Sequence, residues 1–383
     1  MDIYEMLNTD VKINMAFGYP GSEPLQHKKI SKILHESIIN EGEAALQYTP
    51  ATGLSYVRKT IKDYLINKGI VMNEYDELIL TPGGMSSIYY TFFSILNPKD
   101  YIVVESPTFA GALDAIKFVK AKPLPINIDE DGLKVDNLEY NIKKAINDGN
   151  KVKAIYTNPT AHNPTGVIMS DDRRKQLIEI ANKYDILVIE DDPYGFFVFD
   201  TDKRFTSLKT LDSEGRVIYM GTFSKILAPG LRLGYIIANK IITDAIESMI
   251  TITAINPSTL SQYIAMYAIK EGVVDETIEN ARKVYRKKRD VLIESLEEYM
   301  PSGSEWYKPK GGLFAFVYLP KEVDTTEMLP KAIERGVAYV PGRNFFADGS
   351  GSNAMRVNFS YPSIDKLKEG IKIIGETAKE IIK

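Results

Sequence analysis

Between residues 78 and 224 the chain alternates two hydrophobic periods. Short β-rich runs stand at "LIL" (78–80), "YIVVE" (101–105), "VKAIYTNP" (152–159), "ILVIEDD" (186–192) and "VIYMGTFS" (217–224), and helical patterns fill 85–96, 109–119, 135–148 and 171–184 between them. In the last of these, Ser170 is the expected N-cap, and Asp171 and Asp172 suit the positive end of the helix dipole. Leu177, Ile180, Ala181 and Tyr184 follow at i, i+3, i+4 and i+7, which makes one apolar stripe. This alternation predicts a mostly parallel sheet with helices on its faces.

After about residue 275 the texture changes. The spacing predicts a long amphipathic helix over 280–299, then strands at "GGLFAFVYL" (311–319) and "AMRVNFS" (354–360) around a helix near 325–335. That set predicts a second, smaller α+β domain, against which the N-terminal 40 residues could pack. The basic residues within 280–299 read as a solvated helix face, because acidic residues follow them. There is no internal repeat and no low-complexity segment.

Composition narrows the function classes. A chain of 383 residues with 44% hydrophobic and 26% charged content is an ordinary globular protein of two or three domains. A formal net charge of -4 makes no electrostatic case for nucleic acid or an anionic membrane. The absence of cysteine removes disulfides and thiolate chemistry, and three histidines without metal-ligand spacing predict no metal site. The N-terminus "MDIYEMLNTDVKINMAF" is too polar for a secretory signal, and runs such as "IYYTFFSIL" (88–96) fall short of a membrane span. A cytoplasmic protein is expected.

The unusual residues cluster where the predicted strands end, which is where open α/β sheets bind ligands. "TPGGMSS" (81–87) opens a helix with two glycines, a form suited to an anion, although such a pair is also an ordinary turn. Phe109 in "ESPTFAG" (105–111) could stack on a flat ring or sit in the core. In "TNPTAHNPTG" (157–166) the two prolines fix an irregular loop around Asn163. "IEDDPYGFF" (189–197) sets three carboxylates and Tyr194 at the end of an apolar strand, where acids need a cation or donors. Asp192 could merely cap a helix, or an acid there could face a protonated ring nitrogen. Lys225 follows the last strand between Thr222, Ser224 and Arg232, a group able to grip phosphate. A lysine at a strand end can lose solvation and so favour Schiff-base chemistry.

In order and spacing, "NPTG", "D-x-x-Y" and "SK-x(3)-PG-x-R-x-G" resemble the pyridoxal-phosphate aminotransferases of fold type I, class I/II, and the resemblance runs from "FGYP" (17–20) to "MRVNFS" (355–360). Within that superfamily the wording "LQYTPATGLSYVR", "EDDPYG", "FSKILAPGLRLG" and "VPGRNFF" is similar to the branch of 2-aminoadipate and kynurenine aminotransferases and the aminotransferase-like domains of certain bacterial regulators. The resemblance implies a large domain with a mostly parallel seven-stranded sheet between helices, over residues 46–274. It implies a small C-terminal domain over 275–383, with 1–45 as an N-terminal arm and part of the small domain.

The resemblance also implies residue roles. Lys225 bonds the pyridoxal 5′-phosphate aldehyde and carries the substrate α-proton. Asp191, three before Tyr194 and preferred over Asp192 by that spacing, pairs with the pyridine nitrogen. Asn163 and Tyr194 bond the phenolic oxygen, and Phe109 stacks where the branch often has Tyr. Gly84, Met85, Thr222 (where Ser is common), Ser224 and Arg232 hold the phosphate. Arg356 clamps the substrate carboxylate, Gly18 lines the substrate pocket with Asn163 beside it, and Tyr48 reaches the phosphate of the other subunit of a homodimer.

The expected activity is a ping-pong transfer of an amino group from an L-amino acid to a 2-oxo acid, 2-oxoglutarate for preference, with broad, aromatic or 2-aminoadipate specificity. A β-lyase or carbon-chain enzyme of the same fold is the alternative. A non-enzymatic regulator is a weaker one, since it needs a DNA-binding segment and only about 15 residues precede "FGYP". Lys28 or Lys29 could meet an acidic substrate side chain, or could lie on a solvated helix face.

Overall fold

The computed structural model describes residues 11–201 and 204–382; the first ten residues of the N-terminus read above as non-secretory lie outside the described residues. A two-residue strand (Ile13–Asn14) leads into helices α1 (His27–Glu41) and α2 (Ser55–Asn67). Then come β1 (Asp76–Thr81), α3 (Gly84–Ile95), β2 (Tyr101–Ser106), α4 (Ala110–Phe118), β3 (Lys122–Asp129) and α5 (Val135–Asn147). The pattern continues through β4 (Val152–Thr157), α6 (Asp171–Lys183), β5 (Leu187–Asp191), β6 (Val217–Thr222) and β7 (Gly234–Asn239).

The sheet runs β1-β7-β6-β5-β4-β2-β3 and ends in a two-residue ribbon, Gly132–Leu133. The neighbours β6, β5, β4, β2 and β3 are parallel, whereas β7 is antiparallel to both β6 and β1. Period two explains why this sheet is covered twice. Ile102, Val104, Ala154, Tyr156, Ile189 and Ile218 point to one core, shared with α3 and α4. The residues between them, Val103, Ile155, Val188 and Val217, point to the other, shared with α5 and α6.

The α6 reading holds in detail: the Ser170 hydroxyl accepts from Arg173 N–H, and Leu177, Ile180 and Ala181 are buried. Five strands are shorter than the pattern predicts, "ILVIEDD" and "AMRVNFS" by two residues each among them. "VKAIYTNP" stops at Thr157 because Pro159 has no N–H to give a ladder, and "VIYMGTFS" stops at Thr222, whose side chain caps a short helix, Phe223–Ile226. "GGLFAFVYL" is a strand only from Phe314, as Gly312 turns at φ +76°. The predicted pattern also omits β3 and β7. The prolines Pro123 and Pro125 blur β3, and β7 lies in the stretch that carried the chemical motif.

Beyond β7 come α7 (Lys240–Thr253), α8 (Thr259–Lys270) and α9 (Val273–Tyr299), the last beginning seven residues before the predicted 280. Its basic face is only partly solvated, since Lys288 and Arg289 are buried, with ion pairs to Glu23 and Asp200. The smaller α+β domain holds β8 (Phe314–Tyr318), α10 (Thr325–Glu334), β9 (Ala354–Asn358) and α11 (Ile364–Ile382). Its antiparallel sheet is completed by Glu305–Trp306 and Val340–Pro341. Ile13–Asn14 pairs with Val337–Ala338, whereas α1 lies against α8 rather than on this domain. Among the described residues no helix is long and apolar enough to cross a membrane, and no three His, Asp or Glu are grouped to hold a metal ion.

Candidate active site

The carboxyl ends of β2, β4, β5 and β6, the start of α3, and the N-terminal segment around Gly18 enclose a cavity of about 350 Å³. Phe314 and Arg356, from β8 and β9, close its far side. Every predicted cofactor or substrate residue lines it except Tyr48, which is 73% exposed on the outer surface.

One end of the cavity is built for an anion. α3 begins at Gly84 after Gly83, whose φ of +91° and ψ of 164° only glycine adopts easily. A Cβ at Gly83 would stand 2.6 Å from an Arg232 guanidinium nitrogen, so that side chain lies directly over the helix start. Arg232 itself takes the left-handed conformation at φ +48°, just after the Pro229–Leu231 turn. Its guanidinium donates to Ser224 Oγ at 3.5 Å, and the Thr222 hydroxyl donates to the same oxygen at 3.0 Å. Free N–H groups at a helix N-terminus, two hydroxyls and a guanidinium are the kind of donor set that suits a phosphate.

Lys225 projects from the short Phe223–Ile226 helix into the middle of the cavity, and its Nζ donates to the Gly18 carbonyl at 2.6 Å. Burial, then the charges of Arg356 and Arg232, pull its pKa down to about 8. The ammonium therefore gives up its proton far more readily than a surface lysine does.

Asp191 stands at the end of β5. Burial pushes its pKa up to about 7; Asp192 and Glu105 push the same way, against the hydrogen bond from Tyr156. It is a carboxylate short of a cation. Asp192 points elsewhere, accepting from Tyr219 Oη at 2.9 Å, so the D-x-x-Y spacing picks the carboxylate that lines the cavity. Asn163 bonds the Tyr194 hydroxyl and accepts from Arg356 at 3.1 Å. Burial raises the Tyr194 phenol, so it stays a neutral donor.

Arg356 is held as a plane. Its guanidinium carbon lies 4.1 Å from the Phe314 ring centroid and 5.1 Å from that of Phe345. One terminal nitrogen donates to Asn163 and the other to the Ala16 carbonyl at 2.7 Å, while Nε is buried without a partner. Burial lowers its pKa to about 10, which leaves it charged at neutral pH. Both Lys225 and Arg356 thus rest on carbonyls of residues 16–18, a segment fastened by Asn358 and by Ser360, which bond the Phe17 and Tyr19 carbonyls.

Pyridoxal 5′-phosphate fits these groups. The anion end suits its phosphate, Asp191 its basic ring nitrogen, Asn163 and Tyr194 its phenolic oxygen, and the Lys225 amine its aldehyde. Phe109, half-buried just before α4, offers a ring face at the same cavity. The motif reading missed Tyr19, Asn158, Pro193 and Phe314, which also line it. Asn158 lay inside the quoted "TNPTAHNPTG" and could have been noticed there; Phe314 belongs to a distant strand and carried no local signal. Neither lysine of the N-terminal segment enters: Lys28 is exposed, and Lys29 pairs with Glu276 at the surface.

Comparison with known proteins agrees with this geometry. The family described as Aminotransferase class I and II matches residues 11–374. An uncharacterized aminotransferase of Saccharolobus solfataricus is 43% identical over 99% of this chain and 94% of its own. Aromatic-amino-acid aminotransferase 1 of Thermococcus litoralis is 37% identical over 100% of this chain and 91% of its own. A kynurenine aminotransferase of Pyrococcus horikoshii, solved with PMP, superposes with a TM-score of 0.94 at 39% identity, covering 100% of this chain and 94% of that one.

Proposed function

The chain belongs to the class I and II aminotransferases, enzymes that use pyridoxal 5′-phosphate, and on that premise we propose how its residues divide the work. The bound cofactor supplies an aldehyde that condenses with amines and a protonated ring that draws electrons from the bond being broken. We assign the phosphate to Gly84, Met85, Thr222, Ser224 and Arg232, the ring nitrogen to Asp191, the phenolic oxygen to Asn163 and Tyr194, and the ring face to Phe109. Lys225 anchors the aldehyde and, once displaced by substrate, takes the α-proton on Nζ. Arg356 receives the substrate α-carboxylate on its paired donors, which then replaces the Ala16 carbonyl. Gly18 leaves room for the substrate beside Phe314, whose ring a Cβ at Gly18 would approach to 3.1 Å.

The observation that carries this reading is the meeting of Lys225, Asp191 and Arg356, from separate parts of the chain, in one cavity. The donor is an amino acid with an aromatic or bulky apolar side chain, and the acceptor is 2-oxoglutarate. Support comes from a wall of Tyr19, Ile88, Phe109 and Phe314. The aromatic and kynurenine activities named for two relatives point the same way. A panel of amino donors with 2-oxoglutarate, read as kcat/KM, tests this: aromatic donors should lead, and a 2-aminoadipate preference would overturn the side-chain assignment. Pyruvate and ammonia formed from one amino acid without acceptor would mark a β-lyase instead.

The protein acts as a cytoplasmic homodimer in which Tyr48 completes the partner's phosphate site. Its exposed ring, beside the equally exposed Leu46, supports that placement. We divide the chain at residues 45 and 274 into arm, large domain and small domain.

A further inference from the structure

Two side chains next to the cavity have no part in the assignments above. Tyr156 and Asn158 are two residues apart at the end of β4, so the strand period turns both to one face. β4 and β5 are parallel, with Tyr156 opposite Ile189 and Thr157 opposite Glu190, which brings Asn158 beside Asp191. Tyr156 Oη donates to Asp191 Oδ2 at 2.6 Å. Asn158 Nδ2 donates to the Asp191 carbonyl at 2.6 Å, and its Oδ1 accepts from Asn163 N–H at 2.9 Å. Asn158 is itself fixed, since its N–H donates to the buried Glu105 carboxylate at 3.1 Å.

We propose that Tyr156 and Asn158 are the positioning residues of Asp191: Tyr156 holds one carboxylate oxygen and keeps the group anionic, and Asn158 fixes the spacing between Asp191 and Asn163. The inference rests on the reading of Asp191 as the partner of the cofactor ring nitrogen. Tyr156 is fully buried with its ring edge-on to Phe92, so its hydroxyl has no solvent to turn to. Three other ionisable groups bear on the Asp191 carboxylate: Glu105 from β2, and Asp192 and Tyr194 from the loop that follows β5. Glu105 and Asp192 oppose its charge, and the hydrogen bond from Tyr156 favours it. Lys225, Arg232 and Arg356 line the same cavity and draw on other partners.

The test is the affinity for pyridoxal 5′-phosphate of the cofactor-free protein in a Lys225→Ala background, where no amine titrates at the aldehyde, followed by absorbance from roughly pH 5 to 9 across the carboxylate titration. The ligand's own titrations are common to all variants, so differences between variants read the protein. Affinity should fall on the acid side as Asp191 takes a proton. Removing a donor to the carboxylate raises its pKa, so Tyr156→Phe should move that acid limb up by about one pH unit. Site-specific 3-fluorotyrosine at 156, a stronger donor of nearly the same size, should move it down. Asn158→Ala should lower affinity by about tenfold at every pH without moving the limb, because it bonds backbone rather than carboxylate. An unmoved limb in both Tyr156 variants overturns the role of Tyr156, and unchanged affinity in Asn158→Ala overturns that of Asn158. Asp191→Asn should abolish the limb; if the limb persists there, the assignment of Asp191 itself fails, and this inference with it.

Discussion

At the scale of the residue, the site works by moving proton affinities toward neutrality. Lys225 is the sharpest case. In water a lysine holds its proton to about pH 10.4, but burial and the neighbouring Arg356 and Arg232 bring this one to about 8. Only the neutral amine can attack an aldehyde, so capture of pyridoxal 5′-phosphate by the free protein should quicken as pH rises through about 8. Stopped-flow absorbance measures this directly. Arg356→Ala removes a positive neighbour, so the same midpoint should move to higher pH. That variant should also lose binding of all α-amino acids together, by about 2–5 kcal/mol, read as kcat/KM; loss for one side-chain class alone would contradict a carboxylate clamp. Lys225→Ala should lose transamination, and a variant that kept turnover would refute the mechanism.

The element scale explains how local sequence delivers these groups. β4, β5 and β6 each end in a motif because parallel strands stop at one edge, and the three motifs are thereby brought within reach of one small ligand. The start of α3 depends on Gly83. At φ +91° any side chain is strained, and a methyl group would push Arg232 from the helix start. Gly83→Ala should therefore cost roughly 1 kcal/mol or more of stability and weaken cofactor binding. A thermal melt and a cofactor titration on the same sample separate the two effects. Equal cofactor affinity in the variant would mean that Arg232 does not hold the phosphate.

For the whole molecule, the question is whether one chain suffices. Of the assigned residues Tyr48 alone stands outside the cavity and exposed. If it serves a second copy, sizing in solution should give twice the chain mass of 43.0 kDa. Tyr48→Ala should then weaken cofactor affinity by about tenfold, the loss of one hydrogen bond to a charged group. A monomeric protein with full cofactor affinity would reject the arrangement. The two domains also meet at the site, because Arg356 arrives from the small-domain strand β9 and bonds Asn163 of the large domain.

The sequence by itself determined which residues line the candidate site wherever a few neighbours in the chain mark them. Lys225 with Thr222, Ser224 and Arg232, Asp191 with Tyr194, and Asn163 between two prolines are local arrangements, so their spacing was readable. The alternating periods likewise determined the doubly covered parallel sheet, since each strand's two-residue period records which cores it faces. What only the tertiary structure decided are contacts between residues far apart in sequence. The Ala16 carbonyl meets Arg356 across 340 residues, and Phe314 and Phe345 flank that guanidinium from two different elements. Tyr156 reaches Asp191 only because β4 pairs with β5 in one register. Such contacts leave no pattern in the chain, because hydrophobic periodicity says which face a side chain takes but not which partner waits there.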